Sequence, residues 1–558
     1  VYGGAELYLR NLSEGLLKRG IETDVCTTKA HSLTPFIKSG AHFDNRLSNE
    51  TINGIKVVRF PVIPQSRYLS LVFEKMIQAE RDREEQRSSH KIRRFIENSL
   101  GDHESCLADG WNEIDHKGNR AVRWTKSEAV FFIRDTDIKE IGISLDNPGE
   151  IPVTVQVAGS DYAQKYEFKE NPRWDRQSCT LPDISGIVKV TLSCSLVRRP
   201  LRDFRTFGVA VSGIDFCSAS GNCQVDIEND FRTIFRKQHK LIPYLMRNAC
   251  DRPKYFSWMF DYLRGPWSPD LALWLRKNIS GYDVVLAQMF PFNTVRYSFI
   301  AKKFGKPLVL LPLMHADDEF YHWNHYFRMI AAADCVLAMS DFSKSQVYDS
   351  LKARSCVLGA GIDPESFENR NVSGARFREK YRLEGREVIL TVGRKSPQKR
   401  YADMIQAVGA VRKEHPEAVL VMIGPDEDNK ILAEPYVKYL GQMGLADLVD
   451  AYDACDVFAM MSESESFGMV FCEAWMRKKP VIGNRNCGAV STLIDDRYNG
   501  LLCSDVKELT RAILALLEDR KMSRIMGERG YQKVTQHYTW DCITDRVVGV
   551  YENLTESS

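Results

Sequence analysis

A chain of 558 residues, 44% of them apolar and 10% aromatic, exceeds what one hydrophobic core can organise, and its length argues for roughly three or four domains. Its 76 basic and 74 acidic residues leave a formal net charge of +2, which offers nucleic acid no general attraction. No stretch of about 18 apolar residues would span a bilayer, and no basic-then-apolar start marks secretion. The 14 cysteines run from Cys26 to Cys542 without a C-x-x-C pair or zinc-type Cys/His spacing, so they read as reduced thiols of a cytoplasmic protein without structural metal.

The sequence opens at Val1-Tyr-Gly-Gly-Ala-Glu6, a glycine turn with neither an initiator methionine nor a preceding strand, and it reads as a fragment lacking its first strand. Ala5, Leu9, Leu12 and Leu16 recur at helical spacing up to Lys18, with Gly20 placed to end the helix. Gly3 and Gly4 therefore open a helix. A backbone without Cβ there admits a phosphate closely, although a plain tight turn explains the pair as well. Residues 21–27 and 54–60 read as strands. Residues 74–98, dense in charge around 80–87, read as a solvent-exposed helix. Contact with a membrane surface through Lys91, Arg93 and Arg94 is the alternative.

From about residue 106 the period changes to two. Val153, Val155 and Val157 alternate with polar residues, as do Val188, Val190, Leu192 and Cys194, and the pattern continues through residue 216. This predicts an antiparallel β-sandwich inserted at 101–224. Trp111 and Trp124 suit either its core or a surface that stacks on sugar faces, which would make the insertion carbohydrate-binding. Aromatic, helical sequence resumes near 229. The run Tyr255 to Leu263, with Trp267, suits core packing, the alternative being an acceptor-side or membrane-facing surface. Strand candidates at 284–287, 308–311 and 335–339 are spaced as βα units require and complete a first Rossmann-like domain from 1–100 and 225–370. His315 follows the middle strand and so stands at its carboxyl end. Asp317, Asp318, His322 and His325 read as caps and helix flanks, not as a metal cluster.

A second Rossmann-like domain, 371–538, alternates strands at Val388, Val419, Val457 and Val481 with helices. After the first strand comes Gly393-Arg394, with Lys399 before the next helix. A guanidinium fork and an ammonium converging at a carboxyl strand end form a natural diphosphate clamp, the alternative being two basic residues on an ordinary solvated loop. The run Val457 to Met461 leads into Glu463-Ser-Glu465-Ser466-Phe467-Gly468 and then a helix. That loop faces the ligand side of a parallel sheet, and the helix start offers free N–H groups to an anion. Glu465 in the loop and Glu473 within the helix are carboxylates that suit a hydroxyl-rich ligand, although an acidic cluster favouring the helix dipole, with Glu473 on a solvated face, explains the pair alone as well.

The ordered set Val-Gly-Arg394 with Lys399, Ile-Gly424-Pro, Tyr439-Leu-Gly441, Glu465-Ser-Phe-Gly468 with Glu473-Ala, and Pro480-Val-Ile resembles the retaining glycosyltransferases of family 4. The resemblance implies the GT-B fold of two facing Rossmann-like domains, with the α/β halves interrupted by the β-sandwich and a final helix, 539–558, crossing back to the first domain. It implies that Glu473 holds the ribose of a nucleotide-sugar and Glu465 the hydroxyls of the transferred sugar. Arg394 and Lys399 would grip the diphosphate beside Gly393 and Gly424, helped by backbone N–H groups of Ser466, Phe467, Gly468, Met469 and Val470. Gly3 and Gly4 would line the cleft, and His315 would stand beside the sugar. Ala360 departs from the family's more usual Asn before Gly-Ile-Asp363. No metal or other cofactor is expected. The implied activity is retaining transfer of a sugar to a glycan, lipid-linked or other hydroxyl acceptor in glycan or cell-envelope polysaccharide synthesis, in the cytoplasm or at the inner membrane face. The alternatives are a phosphorylase or epimerase on the same scaffold, or a non-catalytic carbohydrate-binding protein.

Overall fold

The computed structural model describes residues 4–556 apart from 29, 34–40, 44–48, 64–66, 118–119, 147–152, 160–161, 169–172, 195–208, 226, 228–229, 239, 266, 291, 369–370 and 430. Gly3 lies outside the described residues. The chain forms two compact units, Val1–Ser66 with Arg264–Ser558, and Arg67–Leu263.

In the first unit, helix α1 (Gly4–Lys18) buries Tyr8, Leu12 and Leu16 on one stripe and ends at Gly20, whose φ is +78°. Strands β1 (Asp24–Thr28), β2 (Glu50–Ile52) and β3 (Ile55–Phe60) form a small sheet in the order β1-β3-β2. Strands β4 (Val285–Gln288), β5 (Leu308–Leu311), β6 (Cys335–Ala338) and β7 (Ser355–Val357) form a parallel sheet in sequence order. The runs β5 and β6 are wholly buried, as continuous apolar strands must be when both faces of a sheet are covered.

The remaining strands are β8 (Glu387–Val392), β9 (Ala418–Ile423), β10 (Val437–Tyr439), β11 (Val457–Met460), β12 (Val481–Asn484) and β13 (Leu501–Cys503). They form one parallel sheet in the order β10-β9-β8-β11-β12-β13. Alternate residues serve opposite faces. Val388 and Leu390 join one core cluster, while Ile389 joins another with Met404 and Val408 of helix α2 (Tyr401–Val411). Helices α3 (Leu445–Ala454) and α4 (Met469–Met476) follow β10 and β11. The last helix, α5 (Trp540–Glu556), packs on α1: Arg19 pairs with Asp541 and Asp545, and Tyr8 meets Trp540 edge-on at 4.9 Å.

The second unit corrects two sequence expectations. Its limits are not 101–224, because the flanking helices belong to it: Ile92 and Ile96 of the helix Arg67–Ser99, and Phe231 and Phe235 of Phe231–Lys237, bury against Val130 and Phe132 of the sheet. The charged helix is not simply solvated either. Glu74, Glu80 and Glu84 are all buried, and Glu84 holds the Arg252 fork at 2.6 and 2.8 Å. Arg93, once a candidate for a membrane surface, is engaged by both oxygens of Asp109 and by Glu128.

Where the sandwich was expected, the alternating strands hydrogen-bond into one continuous nine-stranded antiparallel sheet, whose inward residues share one core. Two strands, Glu128–Asp146 and Arg173–Cys194, are 19 and 22 residues long and pair along nearly their whole length, with register breaks near Ile184 that let a long ribbon bend. Trp111 is core: it is buried, and its indole N–H donates to the Val130 carbonyl at 2.8 Å. In the helix Lys254–Arg264, Phe256 and Phe260 are buried while Tyr255 and Trp258 stand half exposed. Among the described residues, no helix is long and apolar enough to cross a membrane.

Candidate active site at the strand-order reversal

Numbered along its own lobe, the six-stranded sheet runs 3-2-1-4-5-6, and its order reverses between β8 and β11. Open parallel sheets bind ligands outside the carboxyl ends of the strands at this reversal, because the loops there diverge to opposite faces and leave a crevice. The loop after β8 carries Gly393, Arg394 and Lys399. The loop after β11 carries Ser464 to Gly468. The two expected motifs therefore meet at one crevice.

The loop after β8 is held from below by its neighbour after β9. Gly424 has φ +146°, and a Cβ there would fall 1.9 Å from the Gly393 carbonyl oxygen, so only glycine permits this approach. Lys395 N–H donates to Pro425 O at 2.8 Å, and Glu427 N–H to Lys395 O at 3.1 Å. The Lys395 ammonium is buried, paired with Asp426 at 2.9 Å and with Asp428, which also accepts from the Tyr401 hydroxyl. Arg394 faces outward, its side chain 50% exposed, and donates to Glu427 at 3.0 Å. Lys399 spans the reversal: its ammonium donates to Glu465 on the loop after β11, and the Glu463 N–H donates to Gln398 O at 2.9 Å beside it.

Gly468, with φ +104°, turns the chain into α4, whose first-turn amides, including those of Met469 and Val470, have no carbonyl within the helix. Phe467 is buried, its ring 5.0 Å from that of Tyr538. Glu473, within α4, accepts from the hydroxyl of Tyr452 in α3 at 2.6 Å. Burial pushes the Glu473 carboxyl above the usual carboxylate range, and the Tyr452 hydrogen bond partly opposes this.

His315, after β5, reaches the same loop. Its Nδ1 lies 3.2 Å from Ser464 Oγ, and Ser464 donates to Asp317. A hydroxyl has one proton to give. With that proton on the carboxylate, the Ser464 oxygen accepts from Nδ1–H, and in the neutral ring Nε2 is left as an acceptor. The His315 ring also stacks on Tyr321 at 6.0 Å and 11°. Asp318 accepts from Phe320 N–H at 2.9 Å as a cap, and His322 Nε2 lies 2.8 Å from Ala316 O. Among the described residues, no group of three or more His, Cys, Asp or Glu could hold a metal ion.

The structure thus brings Lys399, Glu465 and, through Ser464, His315 to one place, with Gly393, Gly424 and the start of α4 beside them. Arg394 shares the loop but faces Glu427, Glu473 has its own partner in Tyr452, and Gly4 opens α1. Sequence reasoning missed Tyr452, the Ser464 bridge and the anchoring role of Lys395. The acidic run Asp426-Glu427-Asp428 was the available sign that a cation nearby needed a partner.

Residues 374–533 match the family model for Glycosyl transferases group 1. An uncharacterized glycosyltransferase of Methanocaldococcus jannaschii is 25% identical over 299 residues, 50% of this chain and 79% of that protein. The GDP-mannose-dependent alpha-(1-6)-phosphatidylinositol monomannoside mannosyltransferase of Mycobacterium tuberculosis is 26% identical over 233 residues, 38% of this chain and 60% of that enzyme. Among solved structures, Anabaena HepE in complex with UDP and glucose matches at 19% identity with a TM-score of 0.44, over 51% of this chain and 82% of that one. The lobe that sets the Lys399–Glu465 pair at its strand-order reversal is thus the part of the chain that is similar to the glycosyl transferases group 1.

Proposed function

We propose that the chain is a retaining glycosyltransferase of family 4 type that moves a sugar from a nucleotide-diphosphate sugar to a hydroxyl of a glycan or lipid-linked acceptor. The observation that carries this reading is the Lys399–Glu465 pair, a cation and a carboxylate set face to face where a parallel sheet binds its ligand. The mycobacterial relative, described as GDP-mannose-dependent and acting on a phosphatidylinositol monomannoside, supports a nucleotide-sugar donor and a lipid-linked acceptor.

Departure of a nucleoside diphosphate places negative charge on phosphate oxygens. Cations and N–H groups already aimed there stabilise it without reorganising, which is commonly the largest catalytic contribution. Lys399, Arg394 and the first amides of α4 take that role. An arriving diphosphate replaces Glu465 as the partner of Lys399 and frees the carboxylate to accept sugar hydroxyls. Glu473 accepts from the ribose, and the Nε2 acceptor of His315 takes a sugar hydroxyl. On this reading the leaving phosphate oxygen removes the acceptor's proton on the face it vacates, so the anomeric configuration is retained without a protein base. The cations also make a bound metal unnecessary. The lipid-linked acceptor places the reaction at the cytoplasmic membrane face.

A donor screen tests this. Purified protein is offered UDP- and GDP-sugars, with and without chelator, and slow release of nucleoside diphosphate is followed in the wild type and in Lys399→Ala. Chelator-insensitive release from one donor, lost in the variant, is expected, with α-linked product from an α-donor by NMR. No release from any donor, or release indifferent to Lys399, removes the assignment.

A further inference from the structure

The unit Arg67–Leu263 holds a cavity of about 780 Å³ that plays no part in the site above. It is lined by the last turn of the helix Arg67–Ser99 and by the two long strands near their register breaks. Its volume falls within the range of small-molecule sites, about 300–1,000 Å³, but such sites are mostly apolar. This one is not. Apart from Ala158 and Ile187, its lining residues are polar or glycine, so an occupant must bring hydrogen-bonding groups of its own.

The cations decide which kind. Arg134 pairs in register with Ile187, and Lys189 with Phe132, so both side chains leave the same face of the sheet as diagonal neighbours. Among the described residues neither has an ion-pair partner, whereas Arg93, Arg123, Lys126 and Arg252 of the same unit each have one. Glu104, opposite Arg134 across the ladder, is held instead by Gly101 N–H at 2.8 Å and by Lys237 at 3.9 Å. Asp135 does not compete for them either: its carboxylate accepts from Ser218, Ser220, Thr136 N–H and the His103 ring. Two half-buried cations facing one polar cavity suit a carboxylate or phosphate. Glu97 and Asp102 line the same space and accept from hydroxyls, while their charge disfavours a bare inorganic anion.

We propose that this cavity binds a saccharide bearing an acidic group, with Arg134 and Lys189 on the acid and Glu97, Asn98, Asp102 and Ser185 on its hydroxyls. This site is independent of the transfer reaction. Titration calorimetry on the full chain tests it with four probes: a glucuronate-containing disaccharide, glucose 6-phosphate, neutral maltose and inorganic phosphate. The first two separate a sugar carboxylate from a sugar phosphate as the acid. At least one of them is expected to bind, about tenfold more tightly than maltose or phosphate, and to lose about tenfold in Arg134→Gln/Lys189→Gln while keeping its affinity in Arg394→Ala/Lys399→Ala. Melting curves check the fold of the double variant, and Lys189→Gln alone replaces it if the fold is lost. Maltose or phosphate binding as well as the acidic sugars, binding indifferent to Arg134 and Lys189, or no binding of either acidic sugar overturns the proposal.

Discussion

Lys399 donates to Glu465 across the reversal of strand order, although 66 residues separate them in the chain. Each side chain is mostly buried, at 16% and 13% exposure, so removing either leaves the other poorly compensated. Lys399→Ala is expected to lower transfer by about 10²- to 10³-fold, the usual cost of one donor to a developing oxyanion. Circular dichroism should remain native. Turnover of the purified variant near the wild-type rate would refute its role at the diphosphate.

Arg394 tests the same clamp without the stability question. Its pair with Glu427 is half exposed, and such pairs contribute about 0–1 kcal/mol. Arg394→Ala should therefore leave the denaturation midpoint nearly unchanged while donor turnover falls by about tenfold or more. A midpoint shift without loss of turnover would make Arg394 a structural residue only.

Glu473 gives a pH signature. Burial raises its carboxyl pKa and the Tyr452 hydroxyl holds it down, so the protonated form is favoured in the folded state more than in the unfolded one. For an acid shifted this way, the stability contribution is present below the unfolded pKa and is lost as pH rises through the folded pKa. Glu473→Gln is thus expected to be more stable than the wild type at neutral pH. Ribose hydroxyls need the ionised form, so nucleoside diphosphate affinity should fall as pH drops through the raised pKa. In Tyr452→Phe that fall should come at higher pH, and in Glu473→Gln it should vanish. Calorimetric titrations between about pH 5 and 8 measure this. An identical profile in all three proteins would remove Glu473 from the ribose.

Lys395 is the structural counterpart. It is 2% exposed and held by Asp426 and Asp428, so Lys395→Met strands a buried carboxylate. A loss of about 3–5 kcal/mol in denaturant unfolding is expected, far more than Arg394→Ala gives. An equal, small loss in both would mean that the buried pair contributes no more than the exposed one.

How much of this was legible depends on how locally each feature is written. The strands β5, β6 and β11 are unbroken apolar runs and β8 has the apolar centre Val388-Ile-Leu390, so their positions at 308–311, 335–338, 387–392 and 457–460 could be read within a few residues. The Gly393 and Gly468 turns were legible for the same reason. The insertion's limits were not. Buried Glu74, Glu80 and Glu84 make a core helix look solvated, and their need for burial becomes visible only once Arg252, 168 residues from Glu84, folds onto it. Tyr452 was illegible in the same way: it lies in a helix outside every motif, and only packing of α3 on α4 brings it to Glu473.

Ser464 carries the last prediction, because it joins two loops that the sequence places 149 residues apart. Its oxygen accepts from His315 while its proton goes to Asp317, which fixes the imidazole tautomer and leaves Nε2 as the acceptor. Ser464→Ala frees the ring to rotate and to change tautomer. Transfer should drop by about tenfold in kcat, with the donor KM little changed, since the diphosphate partners are untouched. Ser464→Thr keeps the hydroxyl and should recover most of the rate. The two variants separate positioning from packing. If Ser464 merely held the loops together, alanine and threonine would differ in melting temperature and donor KM but not selectively in kcat, and that outcome would leave His315 without an assigned role.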